Sequence, residues 1–249
     1  MNASFVRWLR RRKSFFSLAK KMQSAYFFLH NHVHADPNRL RTRAFFARKT
    51  VIGEGTVVDP TAFVSATGVK IGRNCRIGAS VVILRRSVVE DDADIGPGSV
   101  IGSQGFVLER KKSKTVAVKH TGGVHIGRGV KIAANSCFDK ATFRGRTEVG
   151  EHSIIGSAVH IAHDVQIGAG CRIDNHTVIG GHVIIGDGAV IEENASVSHL
   201  IVVGRGAVVK NSSVVTKDVN DGQIVEGNFA IDAVKYKELI ESNAASGGV

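Results

Sequence analysis

A chain of 249 residues with 33 Lys and Arg against 22 Asp and Glu is long enough for one large domain or two small ones. No apolar run approaches the ~18 residues of a membrane-spanning helix, and no segment has the apolar core and small-residue cleavage site of a secretory signal. Three cysteines, an odd and sparse count, argue against a disulfide-stapled secreted protein and suit a reducing cytoplasm.

The charge is uneven. Residues 1–50 hold 12 of the basic residues and one acid, Asp36, together with nine of the fifteen aromatics. The remaining 199 residues balance, with 21 basic and 21 acidic side chains. Residues 4–30 predict a helix: Phe5, Trp8, Phe15, Ala19, Met22, Tyr26 and Leu29 form a stripe at spacings of three and four, interrupted only by Arg12. Such a helix could pack on the rest of the chain or on a partner subunit. It could also lie on a membrane surface, where Lys and Arg flank an apolar face, or dock an acidic protein. Nucleic acid is not the expected partner. Asp36-Pro37 closes the segment, because the residue before Pro avoids helix, and residues 38–50 read as a basic connector.

From residue 51 a period of six takes over. Ile71, Ile77, Ile83, Val89, Ile95 and Ile101 hold it first. Val149, Ile155, Ile161, Ile167, Ile173, Ile179, Ile185, Ile191, Val197, Val203, Val209 and Val215 hold it again without a gap. Many of these are followed by Gly, as in Ile167-Gly168 and Ile185-Gly186, and the residue two before is usually small. Neither a helix nor a simple alternating strand has this period. A short extended stretch with its β-branched residue turned inward, followed by a turn at the glycine, accounts for it. Coils so built bury their apolar residues only by stacking, which predicts a parallel β-solenoid of unspecified hand. Cys75 and Cys171 occupy the small-residue slot and read as structural.

The period breaks three times. It slips at Gly68, is interrupted from Ile101 to Ile126 by a basic loop over 103–123, and slips again between Phe138 and Val149. Loops leaving a solenoid carry function more often than its coils. These could be plain solvated loops, or could cover a substrate phosphate. After Val215 the segment 218–249 is expected to hold a short helix in AVKYKELIESN and a disordered tail.

The chemistry-bearing segment follows the last break: His160-Ile161-Ala162-His163-Asp164. A neutral His accepts a proton near pH 7, and a carboxylate beside it can fix its tautomer. Adjacent side chains of a flat strand diverge, so His163 and Asp164 cooperate only at a corner or twist. On spacing alone, an exposed surface histidine is the competing reading.

The Ile-Gly-x-x-small-x repeats over 51–217 resemble the hexapeptide-repeat acyltransferases. That resemblance implies an all-β fold, a left-handed parallel β-helix, here with an N-terminal helical extension and a short C-terminal helix, and a homotrimer. From His160 to Ala230 the chain is similar to the UDP-N-acetylglucosamine O-acyltransferases of lipid A biosynthesis. The residues that carry this are His160-Ile161-Ala162-His163-Asp164, Gly180-Gly181-His182-Val183 and Glu226-Gly227-Asn228-Phe229-Ala230. Gly105-Phe106 and Gly122-Gly123-Val124-His125-Ile126-Gly127 resemble the sister family, the UDP-3-O-acylglucosamine N-acyltransferases.

The resemblance implies acyl transfer from a thioester to an amine or hydroxyl of a nucleotide-linked sugar. His163 would be general base, Asp164 its orienting partner, and the Gly181 N–H an oxyanion donor. His160, His182, His199, Ser198, Phe106, Gln104 and Lys140 are the expected substrate-binding residues. No metal and no tightly bound cofactor is implied. The donor would be an acyl carrier protein or coenzyme A thioester, and the basic extension and loop 110–119 suit either. A cytoplasmic enzyme, with possible inner-membrane contact through residues 4–30, is the expectation.

The chain departs from both families in places. Asp164 stands where one family has Asn, Gln104 where an acid is usual, and Ser198 where one has His, with His199 one step later. The basic extension occupies the place of a uridine-binding domain. Two other readings compete: a non-catalytic trimeric scaffold at the membrane surface, and a zinc lyase like the β-helical carbonic anhydrases, whose His-x4-His pair finds no match here.

Overall fold

The structure is a computed structural model that describes residues 50–65, 68–111, 114–228 and 230–245. The expected helix over 4–30, the connector up to residue 49 and the last four residues lie outside the described residues.

The period-six pattern folds as two-residue strands, each with its second residue buried: His160–Ile161, Gln166–Ile167, Arg172–Ile173 and Val178–Ile179 are four in succession. Strands pair in parallel with the third strand on, as in Ile161 with Ile179 and Ile167 with Ile185. Three sheets result, of eight, ten and eight strands, forming the three faces of a prism. This is the left-handed parallel β-helix that the resemblance implied. Parallel pairing continues past residue 217, where Val208 and Val209 pair with Ile224 and Val225.

The core is the inward stack of aliphatics. Ile83, Ile101, Phe138, Ile161, Ile179 and Val197 are each at most 1% exposed and follow one another down one face. Each such burial contributes roughly 1.5–3 kcal/mol. The small-residue slot has its own task. Ser99 Oγ accepts from Ser136 N, Ser136 Oγ from Val159 N and Ser153 Oγ from Cys171 N, so these hydroxyls bridge successive coils. Cys75 and Cys171 lie in that slot, buried, as free thiols.

Apart from Gly102 (φ 89°), the glycine after the aliphatic does not play the expected part among the described residues. Gly168 is not in the left-handed region; a Cβ there would lie 2.4 Å from Asp187 Oδ1 and 2.6 Å from Asp187 N. Close approach of the next coil, not turn conformation, excludes a side chain. The left-handed residue comes two later, at Gly170 (φ 63°), and other corners place Asp164, His182 and Leu200 there.

The loop over 103–123 carries strands of its own. Leu108–Lys111 and Lys114–Ala117 form an exposed antiparallel hairpin projecting from the coil. At the C-terminal end, Glu226 and Val225 pair antiparallel with Ile231 and Asp232, and helix Ala233–Ala245 follows. Asp232 Oδ1 caps it by accepting from Val234 N and Lys235 N. No described helix is long and apolar enough to cross a membrane.

Candidate active site

One corner of the prism carries the chemistry. Arg86, Asp164, His182 and Leu200 all have left-handed backbone, and the last three lie one coil apart. Backbone bonds stack them: His182 N donates to His163 O at 3.0 Å and Leu200 N to Gly181 O at 2.9 Å. His163, Gly181 and His199 therefore form one column along the edge.

At this corner, His163 Nδ1 lies 3.0 Å from Asp164 Oδ2. Thr142, from the coil before, fixes the carboxylate: its N donates to Oδ2 at 3.0 Å and its hydroxyl at 2.6 Å. The Thr142 hydrogen is thus spent on Asp164, so His163 Nδ1 is the donor to the carboxylate and Nε2 keeps its lone pair. Thr147 Oγ1 accepts from Asp164 N at 2.9 Å and holds the backbone. A Cβ on Gly181 would lie 2.6 Å from His163 Nε2, so only glycine leaves the ring its position. Among the described residues, the Gly181 N–H donates to no protein acceptor.

Two more imidazoles flank His163. His120 and His182 each sit with ring centroid 5.0 Å from that of His163, at 77° and 87°. His182 Nε2 lies 3.8 Å from Asp164 Oδ2. His120 is 2% exposed; its Nδ1 donates to Lys140 O at 3.1 Å and its buried Nε2 has no protein partner among the described residues. Burial lowers the pKa of both His120 and His182, and the neighbouring His163 adds to this. Burial opposes ionisation of Asp164, yet the His163 bond, the His182 charge and the Thr142 bonds outweigh it and hold its pKa below the ordinary value.

A second cluster lies beside the first. Asp139, 4% exposed, accepts a short hydrogen bond from Ser103 Oγ, and its other oxygen faces His160 Nε2 at 3.5 Å. Ser103 Oγ is 3.1 Å from Cys137 Sγ, whose pKa burial raises. A Cβ on Gly105 would meet His120 Nδ1 at 2.6 Å and Asp139 Oδ2 at 3.3 Å, so the two clusters adjoin. Two sets of donor atoms converge within 4.8 Å, His163 with Asp164 and His182, and Cys137 with Asp139 and His160, close enough to hold a divalent ion.

The structure thus brings together His163, Asp164, Gly181 and His182, with His160 close by through Asp139. His199 stands exposed in the same column, and its charge reaches His182. Ser198 N donates to Val215 O on the next coil, a scaffold bond. Lys140 is half-buried beside His120. Gln104 and Phe106 do not join the network around His163: Gln104 Nε2 donates to Val118 O, and Phe106 is 83% exposed at the base of the hairpin. Sequence reasoning missed His120, Thr142 and Asp139. All three lie within breaks in the period, where counting coils loses register. His120 pairs with the break as the lone imidazole before Gly122-Gly123, which was the available signal.

A family model described as bacterial transferase hexapeptide (six repeats) matches residues 68–103 and 146–181. Among curated proteins, the chain is 48% identical over 155 residues to the UDP-3-O-acylglucosamine N-acyltransferase of Caulobacter vibrioides, covering 62% of this chain and 45% of that one. It is 36% identical over 123 residues to the enzyme of that name from Anaeromyxobacter dehalogenans, covering 47% and 34%. The chain therefore spans less than half the length of the curated relatives it matches. Among solved structures, the UDP-N-acetylglucosamine acyltransferase of Bacteroides fragilis is 26% identical with a TM-score of 0.64, over 81% of this chain and 80% of that one. The Francisella novicida protein of the same activity shares the fold at 23% identity, with a TM-score of 0.68 over 84% and 74%. In repeat sequence and in fold alike, the chain is similar to the hexapeptide-repeat acyltransferases.

Proposed function

We propose that the chain is an acyltransferase that moves an acyl group from a thioester to an amine or hydroxyl of a nucleotide-linked sugar, a step of the kind used in lipid A assembly. The observation that carries this is the orientation of His163. Asp164, itself held by Thr142, takes up Nδ1, and the free Nε2 looks out over Gly181.

On this reading the acceptor's N–H or O–H points at His163 Nε2. As the nucleophile attacks the thioester carbonyl carbon, His163 takes its proton. Asp164, ionised at neutral pH, stabilises the imidazolium. The Gly181 N–H, otherwise unused by the described protein, faces the oxyanion of the tetrahedral intermediate. Collapse breaks the C–S bond, and the imidazolium returns the proton to the departing thiolate. His182 and His160, both at the site's edge, contact the acceptor. The curated relatives are named N-acyltransferases, which favours an amine acceptor. A homotrimer is proposed from the fold. An acyl carrier protein or coenzyme A is the proposed donor carrier, with the cytoplasm as the place of reaction.

The test is thiol release by the purified full chain. Acetyl and 3-hydroxyacyl thioesters on both carriers are offered against UDP- and GDP-linked amino sugars and their hydroxyl forms. Acceptor-dependent release is expected, and His163→Ala should lower it by at least ~10²-fold. Equal rates in wild type and variant would defeat the assignment of the base.

A further inference from the structure

The corner that holds His163 continues toward the N-terminal coils as a run of cations. Thr142 sits one coil before Asp164 and donates to it. The coil before that lies directly against this one, with Gly122 N donating to Ala141 O at 2.9 Å, Thr121 N to Thr142 O at 3.1 Å and His120 Nδ1 to Lys140 O at 3.1 Å. One coil further, the Arg86 guanidinium donates to Thr121 O, and a Cβ on Gly123 would lie 2.2 Å from Arg86 O. The edge therefore reads Arg85-Arg86, then Lys119-His120-Thr121, then Lys140-Ala141-Thr142, then His163-Asp164. Coils stand ~4.8 Å apart, so Lys140 is one coil from the base and Arg85 about three.

We propose that Arg85, Lys119 and Lys140 form a phosphate-binding subsite on this corner, with Arg86 pinned beneath them, and that it takes the diphosphate of the acceptor. Among the described residues no carboxylate partner is recorded for Arg85 or Lys140. Asp139, next to Lys140 in the chain, is committed to Ser103 and faces His160. Packing cations together costs stability, and the cost shows at Lys140: burial first, then the charges of Arg85, Lys119 and Arg86, lower its pKa, against the opposing charge of Asp139. A multiply charged phosphate group reverses that cost, and Arg and Lys are its usual binders.

The spacing chooses between two sources of phosphate. In a sugar nucleotide the phosphate sits on the anomeric carbon, one carbon from a 2-amino group. A nucleophile at His163 thus puts the phosphate about one coil away, at Lys140. In a carrier-bound thioester a long pantetheine arm separates phosphate from carbonyl, and the fit at this distance is lost. This assignment to the acceptor rests on the acyl-transfer reading; the presence of an anion subsite does not.

The test is titration of the full chain with inorganic pyrophosphate by calorimetry. Saturable binding is expected in the wild type, weakened at least tenfold in Lys140→Met and in Arg85→Met. Arg205→Gln, an exposed arginine elsewhere on the solenoid, should bind as wild type does. Melting curves of each variant show whether it is folded, and Lys140→Met should melt no lower than wild type without ligand. No saturable binding to the wild type, or equal affinity in all four proteins, overturns the subsite. In the transfer assay, pyrophosphate should raise the apparent KM for the nucleotide sugar and leave that for the thioester unchanged; the reverse pattern overturns the assignment to the acceptor. If pyrophosphate binds through Lys140 and Arg85 while no thioester is ever turned over, the subsite stands and the acyl-transfer reading falls.

Discussion

His163 and Asp164 are neighbours in the chain, and their side chains nonetheless meet, Nδ1 to Oδ2 at 3.0 Å. In a flat strand they would point to opposite faces. The left-handed backbone of Asp164, with φ at 59°, turns the carboxylate back beside the ring. Asn tolerates that conformation and Ala does so poorly. Asp164→Asn should therefore fold like wild type while losing the charge that steadies the imidazolium, with kcat down by roughly 10²–10⁴-fold. Asp164→Ala should lose activity and, in addition, about 1–2 kcal/mol of stability. Parallel measurement of kcat and denaturation midpoint checks both, and a fully active Asp164→Asn would remove the carboxylate from the proposed mechanism.

Gly181 is the floor under the His163 ring. A methyl group there would stand 2.6 Å from Nε2 and 2.7 Å from Cε1, so the ring must tilt away. A shift of about 1 Å at a reacting group costs on the order of 10² in rate. Gly181→Ala should show that loss in kcat with a melting temperature close to wild type. A variant that keeps its rate would show that Nε2 is not the reacting atom.

The histidine cluster should make the protein sensitive to mild acid. Burial lowers the pKa of His120 and His182 below their unfolded value of 6.5. The unfolded chain then binds protons that the folded one does not, so this stability is complete above about pH 6.5 and is lost as pH falls through the lower folded values. Asp164 is also depressed, from 3.8, and its contribution disappears only in stronger acid. Melting temperature should decline as pH falls below about 6.5, and His120→Asn should flatten the decline. An unchanged slope in that variant would place the sensitivity elsewhere.

Phe138 fills the core between Ile101 and Ile161, with no measurable exposure. Its chain neighbours Cys137 and Asp139 face the second cluster of the site. Phe138→Ala should cost about 3–5 kcal/mol by cavity formation. Val178→Ala, at a position 45% exposed two strands away in the same sheet, should stay within about 0.5 kcal/mol. Urea unfolding of the two variants checks the difference.

Much of the fold was legible because a period of six constrains backbone and burial together. Each of Ile155, Ile161, Ile167 and Ile173 lies inward, at 4% exposure or less. The role of the glycines was read wrongly: Gly168 is demanded by the approach of Asp187 from the next coil, and one repeat in isolation contains no next coil. The site was half legible. His163, Asp164, Gly181 and His182 lie in regular coils, where a step of 18 residues returns to the same corner, as Ile161 returns to Ile179. Thr142 and His120 lie within irregular coils, where Cys137 pairs with His160 and Val89 with Ile126 at longer intervals.

By itself the sequence determined the solenoid, its aliphatic core and the column of residues that recurs with the period, since these follow from local backbone preference and repetition. Only the tertiary structure decided which side chains face one another at the corner. The turn at Asp164 folds two adjacent side chains together, Thr142 arrives from a coil displaced by an insertion, and the segments that carry Arg85, Lys119 and Lys140 come to one edge from three separate coils. Those contacts depend on how coils stack across breaks in the repeat, and no local pattern encodes that distance.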